Sequence, residues 1–199
     1  MSQRSIEDFK AVLQGGGVRP TMFEVELTFP ESVAPDLGEV ARDGTFLIKA
    51  AGLPSSQIGL IQVPFRGRKL KVAGDRSFED WTVTIINDVS FGLRVAMEKW
   101  SEKIQNHNYA MGAANLSDYY AAAVVRQLDR DGEQLRAYRF EGIWPQTVGE
   151  IGLDFEATDS IEQYDVNFAV QYWSAAEDGD PQTNSVPREF SGRGKDISS

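Results

Sequence analysis

Between Gln163 and Tyr172 the chain alternates along almost its whole course, and this pattern limits what it can fold into. Tyr164, Val166, Phe168, Val170 and Tyr172 fall on one side, with Gln163, Asp165, Asn167 and Gln171 on the other. A period of two belongs to a strand with one buried face, and aromatic and β-branched side chains suit such a surface. The same period recurs in Phe23, Val25, Leu27 and Phe29 against Glu24, Glu26 and Thr28, and in Trp81, Val83 and Ile85 against Thr82, Thr84 and Ile86. It recurs again in Ile151, Leu153 and Phe155 against Gly152, Asp154 and Glu156.

Further strands are expected at 45–51, 58–65, 68–73, 119–128 and 134–144. Arg66-Gly67 and Asp131-Gly132 read as hairpin turns, and Gly74-Asp75 as a turn, because glycine accepts positive φ and aspartate bonds its own backbone. Trp144-Pro145 should end a strand, since proline cannot donate to a ladder. Asn87-Asp88 should end another and offer a side-chain cap to the helix that follows.

That helix is expected over about 89–105, where Leu93, Met97, Trp100 and Ile104 share one face at steps of four, three and four. A Met-Trp stripe of this spacing belongs to a core. A short helix is expected over 5–14, capped by Ser5, with Ile6, Phe9 and Leu13 at helical spacing and Gly15-Gly16-Gly17 stopping it. About eight short strands with these two helices predict a mainly β fold: an antiparallel β-sandwich or barrel with one flanking α-helix and a short N-terminal helix. Eleven Phe, six Tyr and four Trp in 199 residues supply an aromatic core.

The chain divides into an N-terminal helical arm with a glycine joint over 1–18, a β domain over 19–173 and a polar extension over 174–199. That extension holds one aromatic, Phe190, too little to fold alone. Pro30 to Gly44 reads as a long surface loop and a candidate contact.

The residue inventory argues against catalysis. Cysteine is absent, which excludes disulfides and thiolate chemistry, and the single histidine, His107, stands in a polar stretch. Asp75, Glu79 and Asp80 lie near Arg76, but Asp75 reads as a turn residue and Arg76 as its ionic partner. Neither the glycine triplet nor Gly192-Arg193-Gly194-Lys195 has the spacing of a phosphate loop. No enzyme activity, metal or cofactor is expected. No stretch approaches the roughly 20 apolar residues of a membrane span, and no apolar h-region follows Met1-Ser2-Gln3-Arg4-Ser5, so synthesis and assembly in a cytoplasm are expected. Net charge is -10, the opposite of a DNA-gripping footprint. The one basic cluster is Arg66, Arg68, Lys69 and Lys71, read as a cross-subunit pairing surface for carboxylates of an adjacent copy.

Four segments resemble the tail tube proteins of contractile-tailed bacteriophages of the T-even type. They are Lys71 to Asp88, Ala123 to Gln127, Gly142 to Glu150 and Tyr164 to Trp173, in matching order. Within and between them Gly74, Asp75, Arg76, Phe78, Trp81, Asn87, Asp88, Trp100, Arg126, Trp144, Pro145, Gly149, Tyr172 and Trp173 are expected to be structural. The resemblance implies hexameric rings stacked into a tube, with inner sheets joined into one channel that passes double-stranded DNA without gripping it. It implies as partners a sheath, a baseplate, a tape-measure protein and a tail terminator, and a place in the virion. A tailocin or a type VI-like tube delivering effectors is the alternative.

Overall fold

The computed structural model describes residues 6–12, 17–33, 47–109 and 111–176. Most of the expected loop over 30–44 and the polar extension from 177 onward lie outside these residues, as do Ser5 and Leu13 of the N-terminal helix. That helix, α1, spans Ile6–Val12. Nine strands follow among the described residues: β1 (Phe23–Thr28), β2 (Ile48–Ala51), β3 (Ser56–Phe65), β4 (Arg68–Phe78), β5 (Trp81–Ile86), β6 (Ala121–Leu128), β7 (Gln134–Val148), β8 (Gln163–Ala169) and β9 (Tyr172–Ala176). The long helix, α2, spans Gly92–Ile104. Every strand pairing is antiparallel.

The main sheet runs β1-β6-β7-β8-β5-β2, with β9 added on β7, while β3 and β4 pair only with each other. The 15-residue β7 belongs to two layers. Its first part lies between β6 and β9, and from Trp144 onward it pairs with β8. The bend falls at Gly142, where φ is 62° and a Cβ would lie 2.6 Å from Gln171 Cγ. Only glycine accepts both conditions. The two layers, β1-β6-β7-β9 and β7-β8-β5-β2, face each other across one apolar core.

That core is aromatic, as expected. Trp81 stacks nearly parallel on Phe140 of the opposite layer with ring centroids 4.6 Å apart, and Phe168 lies 5.5 Å from Trp81. The α2 stripe closes it: Leu93, Ala96, Met97 and Trp100 are buried, and the Trp100 ring meets Phe29 edge-on. The Trp100 indole N–H donates to the Tyr119 carbonyl at 2.8 Å, so this buried group is satisfied.

Several expectations change. Gly74-Asp75 is not a turn; both lie inside β4, opposite Gly59, where the ladder slips between Ile58 and Leu60. Two residues facing one make a β-bulge, and the same glycine chemistry that suits a turn permits it. A Cβ on Gly74 would sit 3.2 Å from the Gly59 carbonyl group. Pro145 does not end β7; the strand continues to Val148, with a register shift between Pro145 and Thr147 that accommodates the missing donor. Ile151, Leu153 and Phe155 form no strand; they lie in a connecting segment with Leu153 and Phe155 wholly exposed. The last strand is really two, broken at Val170-Gln171, so Tyr172 joins β9 and is half-exposed rather than buried with Tyr164.

Asn87 and Asp88 do not cap α2, which starts four residues past Asp88 with Phe91 at its N-cap and no side-chain cap. The Asn87 amide donates to the Glu162 carboxylate instead. Asp88 accepts from the Ser90 hydroxyl and from the Ser90 N–H at 3.2 Å. The Ser90 hydroxyl contact above all holds the Asp88 carboxyl below the ordinary carboxylate range. A lowered folded pKa contributes stability above the unfolded value, lost as pH falls through the folded one. Ser90→Ala should therefore move the Asp88 titration midpoint upward in an NMR pH series; an unmoved midpoint would assign the shift elsewhere.

Candidate assembly surfaces

The residues picked out in the sequence divide between the scaffold and the exposed ribbon. On the scaffold, Trp81 and Trp100 fill the core. Trp144 meets the Tyr119 ring edge-on, and Trp173 takes the rings of Phe78 (6.1 Å) and Tyr138 (5.9 Å) edge-on. Phe78 thus ties the end of β4 to β9. Arg126 pairs with Glu26 at 2.6 Å on the outer face of the first layer, and Arg139 pairs with Glu141 on the same face. On the outer face of the second layer the Thr84 hydroxyl donates to Asp165 (2.7 Å), Thr82 to Asn167 (3.2 Å) and Lys49 to Gln163 (2.7 Å).

Gly149 holds a crossing point. Its N–H donates to the Asp165 carbonyl at 2.7 Å, and its own carbonyl accepts from Arg94 Nη1 at 2.7 Å. A Cβ there would lie 2.5 Å from the Asp165 oxygen. Gly149→Ala should therefore cost about 1–3 kcal/mol through overpacking against backbone that cannot yield. A chemical-denaturation midpoint equal to that of the unaltered chain would refute the close approach.

Arg94 was placed on the solvated side of the helix by its sequence context, yet it links three elements. It pairs with Glu98 at 2.7 Å, reaches the Gly149 carbonyl and lies 4.8 Å over the Tyr164 ring. Burial pushes the Tyr164 phenol well above its ordinary range, with the Arg94 charge opposing. The only available sequence signal was the Arg94–Glu98 spacing of four, which marks many surface pairs as well.

The ribbon is a different kind of structure. It leaves the body at Phe78 and at the Glu79 N–H to Ser55 carbonyl bond (3.2 Å). Arg66 (φ 46°) and Gly67 (φ 79°) make its tip, as expected for a hairpin turn. Cross-strand partners Ile61↔Val72 and Val63↔Leu70 put four aliphatic side chains on one face, with Phe65↔Arg68 next to the tip. All five apolar groups are exposed, from 43% for Val72 to 67% for Phe65. Lys69 and Lys71, opposite Pro64 and Gln62, point to the other face. Arg66 stacks on Phe65 at 5.4 Å. Arg76 reaches the Ser56 hydroxyl at 3.4 Å, and no ion pair joins it to Asp75. An isolated two-stranded ribbon with an apolar face is marginal in water; exposed apolar patches of this kind mark contact sites.

Catalytic geometry does not gather on the described residues. A cleft between Ser32 and the C-terminal half of α2 has its serine hydroxyl donated to the Asp118 carbonyl at 2.8 Å, with no base to activate it.

Residues 18–176 match the family model for phage tail tube proteins. The chain belongs to that family. It is 32% identical over 165 residues to the tail tube protein gp19 of Enterobacteria phage T4, covering 82% of this chain and 95% of that protein. It is also 32% identical over 176 residues to the tail tube protein of Serratia phage KSP90, covering 87% and 97%. Among solved structures it resembles a chain of the anti-feeding prophage tube-terminating cap (TM-score 0.60, 13% identity, 80% of this chain and 91% of that one). It also resembles a chain of the sheath-tube complex of an extracellular contractile injection system, PVC (TM-score 0.56, 12% identity, 84% and 96%). These likenesses establish the fold. The tail tube family thus accounts for the conserved-looking scaffold residues without any chemistry, and as a phage tail tube protein the chain is a virion component.

Proposed function

We propose that this tail tube protein assembles into hexameric rings stacked end to end, and that the bore conducts genomic DNA after the surrounding sheath contracts. It works mechanically and carries no enzyme activity. The observation that supports this most is the exposed apolar face of the β3-β4 ribbon on an otherwise well-packed body. Exposed sheet margins at β1, β2 and β9 add unpaired backbone groups that identical neighbours can consume. A contact that closes on itself gives rings; a second one along the axis gives an open filament.

The electrostatics support passage without adhesion. Cations on the sheet faces are engaged: Arg126 and Arg139 with carboxylates, Lys49 with Gln163. With net charge -10, a bore of this protein lacks the free cations whose pairing with phosphate drives counterion release. Sheath, baseplate, tape-measure and terminator proteins are its partners in this reading, and assembly takes place in the host cytoplasm. Relatives sharing sequence are phage proteins, which favours DNA over effector cargo. Electron microscopy of the concentrated protein tests the proposal: rings or long tubes are expected, and a monomer that persists at high concentration would overturn it.

A further inference from the structure

Resting on that tube reading, we infer that the apolar face of the β3-β4 ribbon docks on the Ile151–Glu162 segment of the next copy along the tube. The ribbon and this segment lie at opposite ends of the same strand. β5 starts at Trp81, two residues past the ribbon, and ends at Ile86; the next residue, Asn87, donates its backbone N–H to the Glu162 carbonyl at 3.0 Å. Six residues of strand separate the two ends, roughly 20 Å. Surfaces at opposite ends of a subunit meet when copies stack head to tail, which is the heterologous, non-closing contact a filament needs.

The two surfaces also match in chemistry. The segment holds Leu153 at 83%, Phe155 at 109% and Ile161 at 72% exposure. No strand or helix lies between Gly149 and Gln163 to bury them. Such side chains, exposed beside a well-packed core, need a cover. Carboxylates surround them: Asp154, Glu156, Asp159 and Glu162. The ribbon offers the inverse, an apolar face carrying Arg68 beside Phe65, with Arg66 at the tip. Apolar contact supplies affinity, and the opposite charges fix orientation and disfavour ribbon-to-ribbon or segment-to-segment pairing. One such contact per subunit around a ring acts multivalently, so each can be small.

The chain contains no cysteine, so an introduced pair reports proximity cleanly. Tubes of the Leu70→Cys, Phe155→Cys double variant, once oxidised, should give a non-reducing ladder of dimers, trimers and higher species. Each single variant should give none. Tubes visible in micrographs without a ladder, or a disulfide closed within single chains, would overturn the pairing and leave the tube reading standing. Failure of the unaltered chain to assemble would overturn both. A second arm avoids cysteine. Asp154→Lys with Glu156→Lys should raise the protein concentration needed for assembly about tenfold or more through like-charge contact. Adding Arg66→Glu with Arg68→Glu should restore it. Assembly unchanged by the first pair would count against the docking.

Discussion

Trp81→Ala should lower the stability of the subunit by about 3–5 kcal/mol, the cost of emptying a large aromatic site that cannot fully collapse. Trp81 is 1% exposed and lies between Phe140 of one layer and Phe168 of its own. Removing the indole takes away the ring that joins the two layers. That loss is a large share of the roughly 5–15 kcal/mol that holds a typical domain together. Trp81→Phe separates packing from polarity. The buried indole N–H has no acceptor, a defect worth about 1–3 kcal/mol. Phenylalanine keeps a ring in the stack and removes that donor, so its penalty should be clearly smaller than alanine's. Denaturant titrations of both variants check the order; equal losses, or an alanine variant as stable as the unaltered chain, would contradict the burial described.

The second large effect separates folding from assembly. Ile61→Thr, Val63→Thr and Leu70→Thr together keep β-favouring side chains on the ribbon but remove its apolar face. These positions are 45–62% exposed, so the melting free energy of the subunit should move by no more than about 0.5 kcal/mol. Tube formation should nevertheless be abolished. A triple variant that melts normally and polymerises as well as its parent would show that the ribbon takes no part in assembly.

These two predictions differ in how visible they were in the sequence. The alternation of Trp81, Val83 and Ile85 and the four-three-four stripe of α2 reveal buried faces because period and burial coincide there. The ribbon has the same alternation, in Ile61, Val63 and Phe65, yet in the subunit it buries nothing. A sequence pattern marks a face that seeks cover; it does not say whether the cover comes from the same chain. Ile151, Leu153 and Phe155 mislead for the same reason: alternation without a partner strand is not a strand. Gly74-Asp75 and Pro145 were misread because bulges and turns draw on the same residues. Arg94 was missed because its contacts with Gly149 and Tyr164 join positions 55 and more residues apart, which no local spacing encodes.

The membership of β7 in both layers has a mechanical meaning. A force that slides one layer over the other must shear a single continuous strand out of the ladders on its flanks. The sandwich therefore has no weak plane between its halves. Under thrust, as in a needle driven forward, it resists delamination and yields as one body, its load carried around the Gly142 corner.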